Sequence, residues 1–337
     1  MVVYEDESCM EGSRFLTLQS TFGGEQMKNE ITIREAVTEQ EIAFFWGQLR
    51  AYFSRDIFPG PDSGARAHFL DDQYRAHMDA LHERQQDRCY YLLLRRNGED
   101  IGLALPVLYH TEDGKCFLCE FCVFPEFRGN GTGTKCGERF LAWARSMGAA
   151  YVELNCDTPQ RQRFWGRLGF RRNGADEWGM PLMLLPPEEA LPIRIERLTD
   201  GGDWQLKKLE NGFLCEIGEE MLSEEKKRRL EQAVSHGKIT YFLAKRGYRA
   251  VGMCSVATAF STFACGDTGT FEDFYIEPVF RGKGIARMLA EAAQKWCREE
   301  GVASLSVTCA PCDEQMYQAL GFQIPLGRTY AYPASGD

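Results

Sequence analysis

Two short glycine-rich segments hold the residues best suited to chemistry: Arg128-Gly129-Asn130-Gly131-Thr132-Gly133 and Arg281-Gly282-Lys283-Gly284-Ile285-Ala286. Each ends a strand-like run and opens directly into a helix-like one, so consecutive backbone N–H groups gather at the positive end of a helix dipole. Glycine lets the backbone approach a ligand closely, and Arg128, or Arg281 with Lys283, adds fixed positive charge beside it. Such a turn takes a phosphate or pyrophosphate. Taken singly, it is equally a plain strand-to-helix connection.

The segment occurs twice, in the same surroundings. Phe121 to Gly133 and, later, Phe164-Trp165-Gly-Arg-Leu-Gly-Phe170 are matched by Phe274 to Ala286 and Met316-Tyr317-Gln-Ala-Leu-Gly-Phe322. Arg128 and Arg281 stand 153 positions apart and Phe170 and Phe322 stand 152 apart, so the offset barely drifts. A period of this kind is an internal repeat of a whole folding unit.

The elements that must position these residues follow from periodicity. Ile285, Met288, Leu289, Ala292 and Trp296 fall on one helical face, with Gly301 as a stop. Ala303, Leu305 and Val307 then alternate with polar residues as a half-buried strand, mirrored in the first half by Val152, Leu154 and Cys156. The expected fold class is α/β, with two tandem units, each a mixed sheet with helices on both faces. Residues 27–185 form the first unit, 186–192 a Pro-rich linker and 193–337 the second. Residues 1–26 fit neither copy and read as a disordered leader or an upstream start.

Strand, proline, Arg-Gly-x-Gly, amphipathic helix, alternating strand and aromatic-x-x-Leu-Gly-Phe, twice in one order, resemble the GNAT superfamily of acyl-CoA-dependent N-acyltransferases. The resemblance is strongest over 117–170 and 270–322. It implies acetyl-CoA as acyl donor, its pyrophosphate on Arg128–Gly133 or Arg281–Ala286 and its pantetheine arm along the preceding strand. The backbone around Ile276, and Val123 in the first half, would hold the thioester. Transfer to an amine needs a base and an acid flanking the cleft. Tyr317 matches the tyrosine that in many family members protonates the CoA sulfur, and Phe271-Glu272-Asp273-Phe274 resembles the strand of diamine and polyamine acetyltransferases, where a glutamate at the Glu272 position handles the amine. Strand alternation places Glu272 and Asp273 on opposite faces unless a bulge intervenes. The first half departs from this pattern: Trp165 replaces the tyrosine, Cys119 stands opposite Glu272, and Glu120 aligns with Asp273. The asparagine often found before the family's last helix is absent, with Thr158 and Ala310 in its place. The first unit is therefore expected to be degenerate and the second catalytic.

Composition narrows the rest. A net charge of −10 argues against nucleic acid and anionic membranes as partners and suits a cationic amine. Thirteen cysteines, an odd number in a long chain without a secretory-type opening, fit reduced thiols in a cytoplasm. Cys116, Cys119 and Cys122 lie on one strand, where Cys119 should face away from the other two, so no metal is expected. His68, His77, His82, His110 and His236 have no metal-ligand spacing. The sequence thus points to an N-acetyltransferase acting on a small-molecule amine, polyamine- or aminoglycoside-like, or on a peptide. The alternatives are a catalytically silent acyl-CoA-binding module and an enzyme whose active site lies in the first unit.

Overall fold

The structure, a computed structural model, describes residues 30–60, 69–176, 178–187 and 191–327. The expected leader and His68 lie outside the described residues.

In the first half the elements are β1 (Ile31–Glu35), α1 (Glu39–Tyr52), α2 (Asp72–His82), β2 (Arg88–Cys89), β3 (Leu92–Arg96), β4 (Glu99–Tyr109), β5 (Lys115–Val123), α3 (Thr132–Ser146), β6 (Tyr151–Asn155), α4 (Pro159–Arg167), β7 (Arg171–Ala175) and β8 (Pro181–Leu185). The second half follows as β9 (Ile193–Arg197), α5 (Trp204–Ile217), α6 (Glu224–Ser235), β10 (Ile239–Arg246), β11 (Arg249–Ser261), β12 (Gly266–Ile276), α7 (Ile285–Glu299), β13 (Leu305–Ser306) and α8 (Glu314–Ala319). Each half builds its own sheet. The first runs β1-β3-β4-β5-β6-β8-β7, with β2 on β4, and the second β13-β12-β11-β10-β9. The only parallel pairings among the described strands are β5 with β6 and β12 with β13, the crossovers that α3 and α7 make. This is the expected mixed α/β class.

Local chemistry explains the helix ends. Thr38 and Glu41 form a reciprocal capping box at the start of α1. Helices α3 and α7 instead start from glycines in the left-handed region, Gly131 at φ 75° and Gly284 at φ 81°, which a side chain would strain. The stripe α7 buries runs through Ile285, Leu289, Ala293 and Cys297, with Ala292 and Trp296 beside it. The strand expected over 303–307 shortens to Leu305–Ser306, whereas β6 is buried on both faces, because the second half packs over it. Tyr151 and Leu184 of the first half belong to the same apolar cluster as Phe242, Val251 and Phe280 of the second.

Candidate active site

In both halves the strand that leads to the glycine loop is bulged. In β12, Ser255 pairs with Glu272 and Met253 with Tyr275, leaving Asp273 and Phe274 to oppose Cys254 alone. Asp273 takes φ +47°, a conformation aspartate tolerates better than most residues. The extra residue cancels one alternation, so Phe271 and Phe274, three positions apart, both enter the core under α7. Glu272 and Asp273 are then turned together toward α5. Glu272 lies in the cross-strand row Tyr241–Ser255–Glu272, and Asp273 accepts hydrogen bonds from the Tyr241 hydroxyl at 2.9 Å and the Ser255 hydroxyl at 2.7 Å. The bulge therefore sets aside the plain alternation expected for this pair.

Strand β5 is bulged between Leu118 and Glu120. Leu118 and Phe121 share the core under α3, while Cys119 and Cys122 pack toward α1 and Cys116 toward α3. The sequence expectation that Cys119 faces away from both other cysteines is thus corrected, because the bulge lies between Cys116 and Cys122. Among the described residues no group of three or more potential ligands is placed to hold a metal.

The electrostatics of the two bulges differ. Glu272 is exposed, and its carboxyl is raised by partial burial and by the Asp273 charge. Behind Asp273 stands Glu210 of α5, only 5% exposed, with Oε1 unpartnered and its carboxyl pushed up to about 8 by burial and then by Asp273. In the first half Glu120 is pushed up to about 8 by burial, against the pull of Arg161. Sequence reasoning missed Glu210, Tyr241 and Ser255. An isolated glutamate in an otherwise apolar helical stripe, Leu206-Leu209-Glu210, was the available signal.

Parallel pairing of β12 with β13 ends at Thr270–Ser306, so among the described residues the β12 edge from Phe271 onward has no strand beside it. Tyr317 of α8 packs against this stretch, its ring 6.1 Å from Phe274 and 6.4 Å from Phe271. Burial raises its phenol to about 12, with Asp313 and Cys309 adding to the shift. Trp165 takes the corresponding place in the first half, 5.3 Å from Phe121. Thr158, in the slot where asparagine was sought, caps α4 by accepting from Arg161 N.

The loops keep the geometry a polyanion needs. Gly129, Asn130 and Gly131 in one, and Gly282 and Gly284 in the other, all have positive φ. The first-turn N–H groups of α3 and α7 beyond them lack intrahelical acceptors. Arg281 does not simply face the loop: Nε donates to Ile276 O at 2.9 Å and the guanidinium holds Glu216. Arg128 repeats this with Val123 O at 2.8 Å and with Asp56, whose carboxyl it draws down to about 2. The two arginines thus brace the strand ends that carry Ile276 and Val123. Other cations surround the loops. Lys283 is lowered by burial and then by Arg246 and Arg171, and the first loop borders a cavity of about 270 Å³ with Arg96, Arg128 and Lys135. Both loops therefore fit the phosphates of acyl-CoA.

Two glycine loops under helix N-termini, each following a bulged strand, define a pair of acyltransferase-like units. The acetyltransferase (GNAT) family matches residues 52–170 and 206–322, most of the chain, and the chain belongs to that family. Solved structures similar to it include a predicted acetyltransferase with acetyl-CoA from Clostridium acetobutylicum, 17% identical over 42% of this chain and 96% of that one, TM-score 0.37. Glucosamine-6-phosphate N-acetyltransferase from Arabidopsis thaliana is 19% identical over 42% and 99%, TM-score 0.36. An aminoglycoside acetyltransferase from an uncultured soil metagenomic sample, in complex with sisomicin, is 15% identical over 43% and 97%, TM-score 0.38. No match was found among curated proteins. No helix among the described residues is long and apolar enough to cross a membrane.

Proposed function

We propose that the chain transfers an acetyl group from acetyl-CoA to a primary amine by direct attack, in an active site of the second half. The acceptor is a small molecule of polyamine or aminoglycoside type, or a peptide. The chain divides at 186–192, and the first half acts without the acid that Trp165 replaces. The observation that carries this reading is the open β12 edge lying between a carboxylate and a phenol, with Glu272 on the α5 side and Tyr317 on the α7 side.

Glu272, directly or through a water, takes a proton from the ammonium and frees the nitrogen lone pair. As nitrogen bonds to the thioester carbon and the C–S bond breaks, Tyr317 gives its proton to the departing thiolate. A backbone donor near Ile276 faces the oxyanion. The nitrogen loses two protons in all; one is matched by the proton delivered to sulfur and the other leaves to solvent. A phenol raised to about 12 is protonated at neutral pH, as this role demands. Asp273, occupied by Tyr241 and Ser255, adds negative charge beside a cationic acceptor.

A second reading places the chemistry in the first half, favoured by the half-buried Glu120 carboxyl at about 8 and the basic cavity at its loop. Titration of acetyl-CoA into the protein and into Gly131→Val and Gly284→Val variants, beside thiol release with an amine panel, separates the two. Activity lost with Gly284→Val supports the second-half site, and activity lost only with Gly131→Val moves the site to the first half. CoA bound without thiol release for any amine leaves a silent binding module.

A further inference from the structure

We propose that the acyl-CoA phosphate site at the second loop is composite: β7 of the first half supplies Arg171 as a cation for the phosphates and Asn173 as a clamp on the turn that enters the loop. The inference rests on the second-half site proposed above and concerns what completes it.

Strand β7 lies against the Pro278–Phe280 turn that joins β12 to the loop. The buried Asn173 Oδ1 accepts a hydrogen bond from Val279 N at 3.3 Å, across 106 positions of sequence. Next to it, a Cβ on Gly174 would sit 3.3 Å from the Tyr275 hydroxyl, so β7 runs close beside the end of β12. Arg171 pairs with Leu184, which packs in the same apolar cluster as Val279 and Phe280, so Arg171 stands on the side of β7 that faces the second half, and it is exposed. The influence of Arg171 on Lys283 agrees with this placement.

The base of the turn is fixed from the first half as well. Glu277, the residue before Pro278, receives the Arg249 guanidinium through Nε at 3.0 Å and Nη2 at 2.7 Å. The same guanidinium donates to Asp113 at 3.1 Å and Glu153 at 2.8 Å, both from the first half. Arg249 and Glu277 are buried, so this cluster allows little relative motion between the halves. Tyr151 of the first half also donates to Arg246 O at 2.6 Å. Glu277, just before the turn, is thus tied to the first half through Arg249, and Val279, in the middle of the turn, directly through Asn173.

The test is calorimetric titration of the full chain and of Arg171→Ala and Asn173→Ala, with acetyl-CoA and with acetyl-pantetheine, which has no nucleotide phosphates. Arg171→Ala should raise the Kd for acetyl-CoA about five- to tenfold and flatten its salt dependence, the loss of one charge-assisted phosphate contact, with acetyl-pantetheine unaffected. Asn173→Ala should raise the acetyl-CoA Kd about three- to tenfold at unchanged stoichiometry. A purely structural role would instead lower the melting temperature and the competent fraction at unchanged Kd. An unchanged acetyl-CoA Kd in Arg171→Ala, or equal losses for both ligands, overturns the proposal. Since Arg171 is exposed, this variant decides even if Asn173→Ala does not fold. Wild-type affinity in Gly284→Val would instead overturn the underlying second-half reading.

Discussion

Replacing Glu210 by glutamine should make the protein more stable, and increasingly so as pH rises. The Glu210 carboxyl is buried beside Asp273 and moves from 4.5 to about 8 on folding. A carboxyl raised in the folded state favours the protonated form there, so its contribution is full below the unfolded value and is lost as pH climbs toward 8. At 1.36 kcal/mol per pH unit, the wild type loses about 3 kcal/mol through this group between pH 5.5 and pH 9, and the neutral isostere does not. The stability gap between variant and wild type should widen by that amount, roughly 6–12 °C in melting temperature for a unit of this size. Thermal melts of both proteins across that range, followed by tryptophan fluorescence, measure it. A gap constant to within about 0.5 kcal/mol would show that Glu210 is ionised or solvated in the folded protein, refuting the buried acidic pair.

Tyr317→Phe should lower turnover by roughly 10²–10⁴ and leave the acetyl-CoA Kd nearly intact, as thiol release and calorimetry would report. Unchanged turnover would remove Tyr317 from the mechanism. Activity of the wild type should fall on the acid side as Glu272 takes up a proton, at a pH above the ordinary carboxylate value of 4.5, and Glu272→Gln should abolish that limb of the profile of kcat/KM. Arg249→Met leaves Asp113, Glu153 and Glu277 buried without their shared cation. Burial alone would raise Glu153 and Glu277, but Arg249 and Lys208 hold both below the ordinary value. A loss of about 3–5 kcal/mol and a split of one melting transition into two are expected, and a single wild-type-like transition would count against a joint unit.

The sequence alone determined the features written within a few turns of chain. The repeat, the two glycine loops, the capping glycines and the helix after each loop all came from local pattern, because 3.6- and 2-residue periods and left-handed glycines need no partner to be recognised. The matching places of Tyr317 and Trp165 came the same way. Tertiary structure decided the rest. A bulge is one unpaired residue with no signature of its own, yet it turns Glu272 and Asp273 to one side and moves Cys122 to the side of Cys119. Glu210 acquires its raised carboxyl because α5 buries it against the sheet, beside Asp273. Arg249 finds its first-half partners across 96 and 136 positions of sequence, and Asn173 reaches Val279 across 106. Contacts at that separation form only when two complete units pack together, and neither unit's local pattern encodes the other's surface.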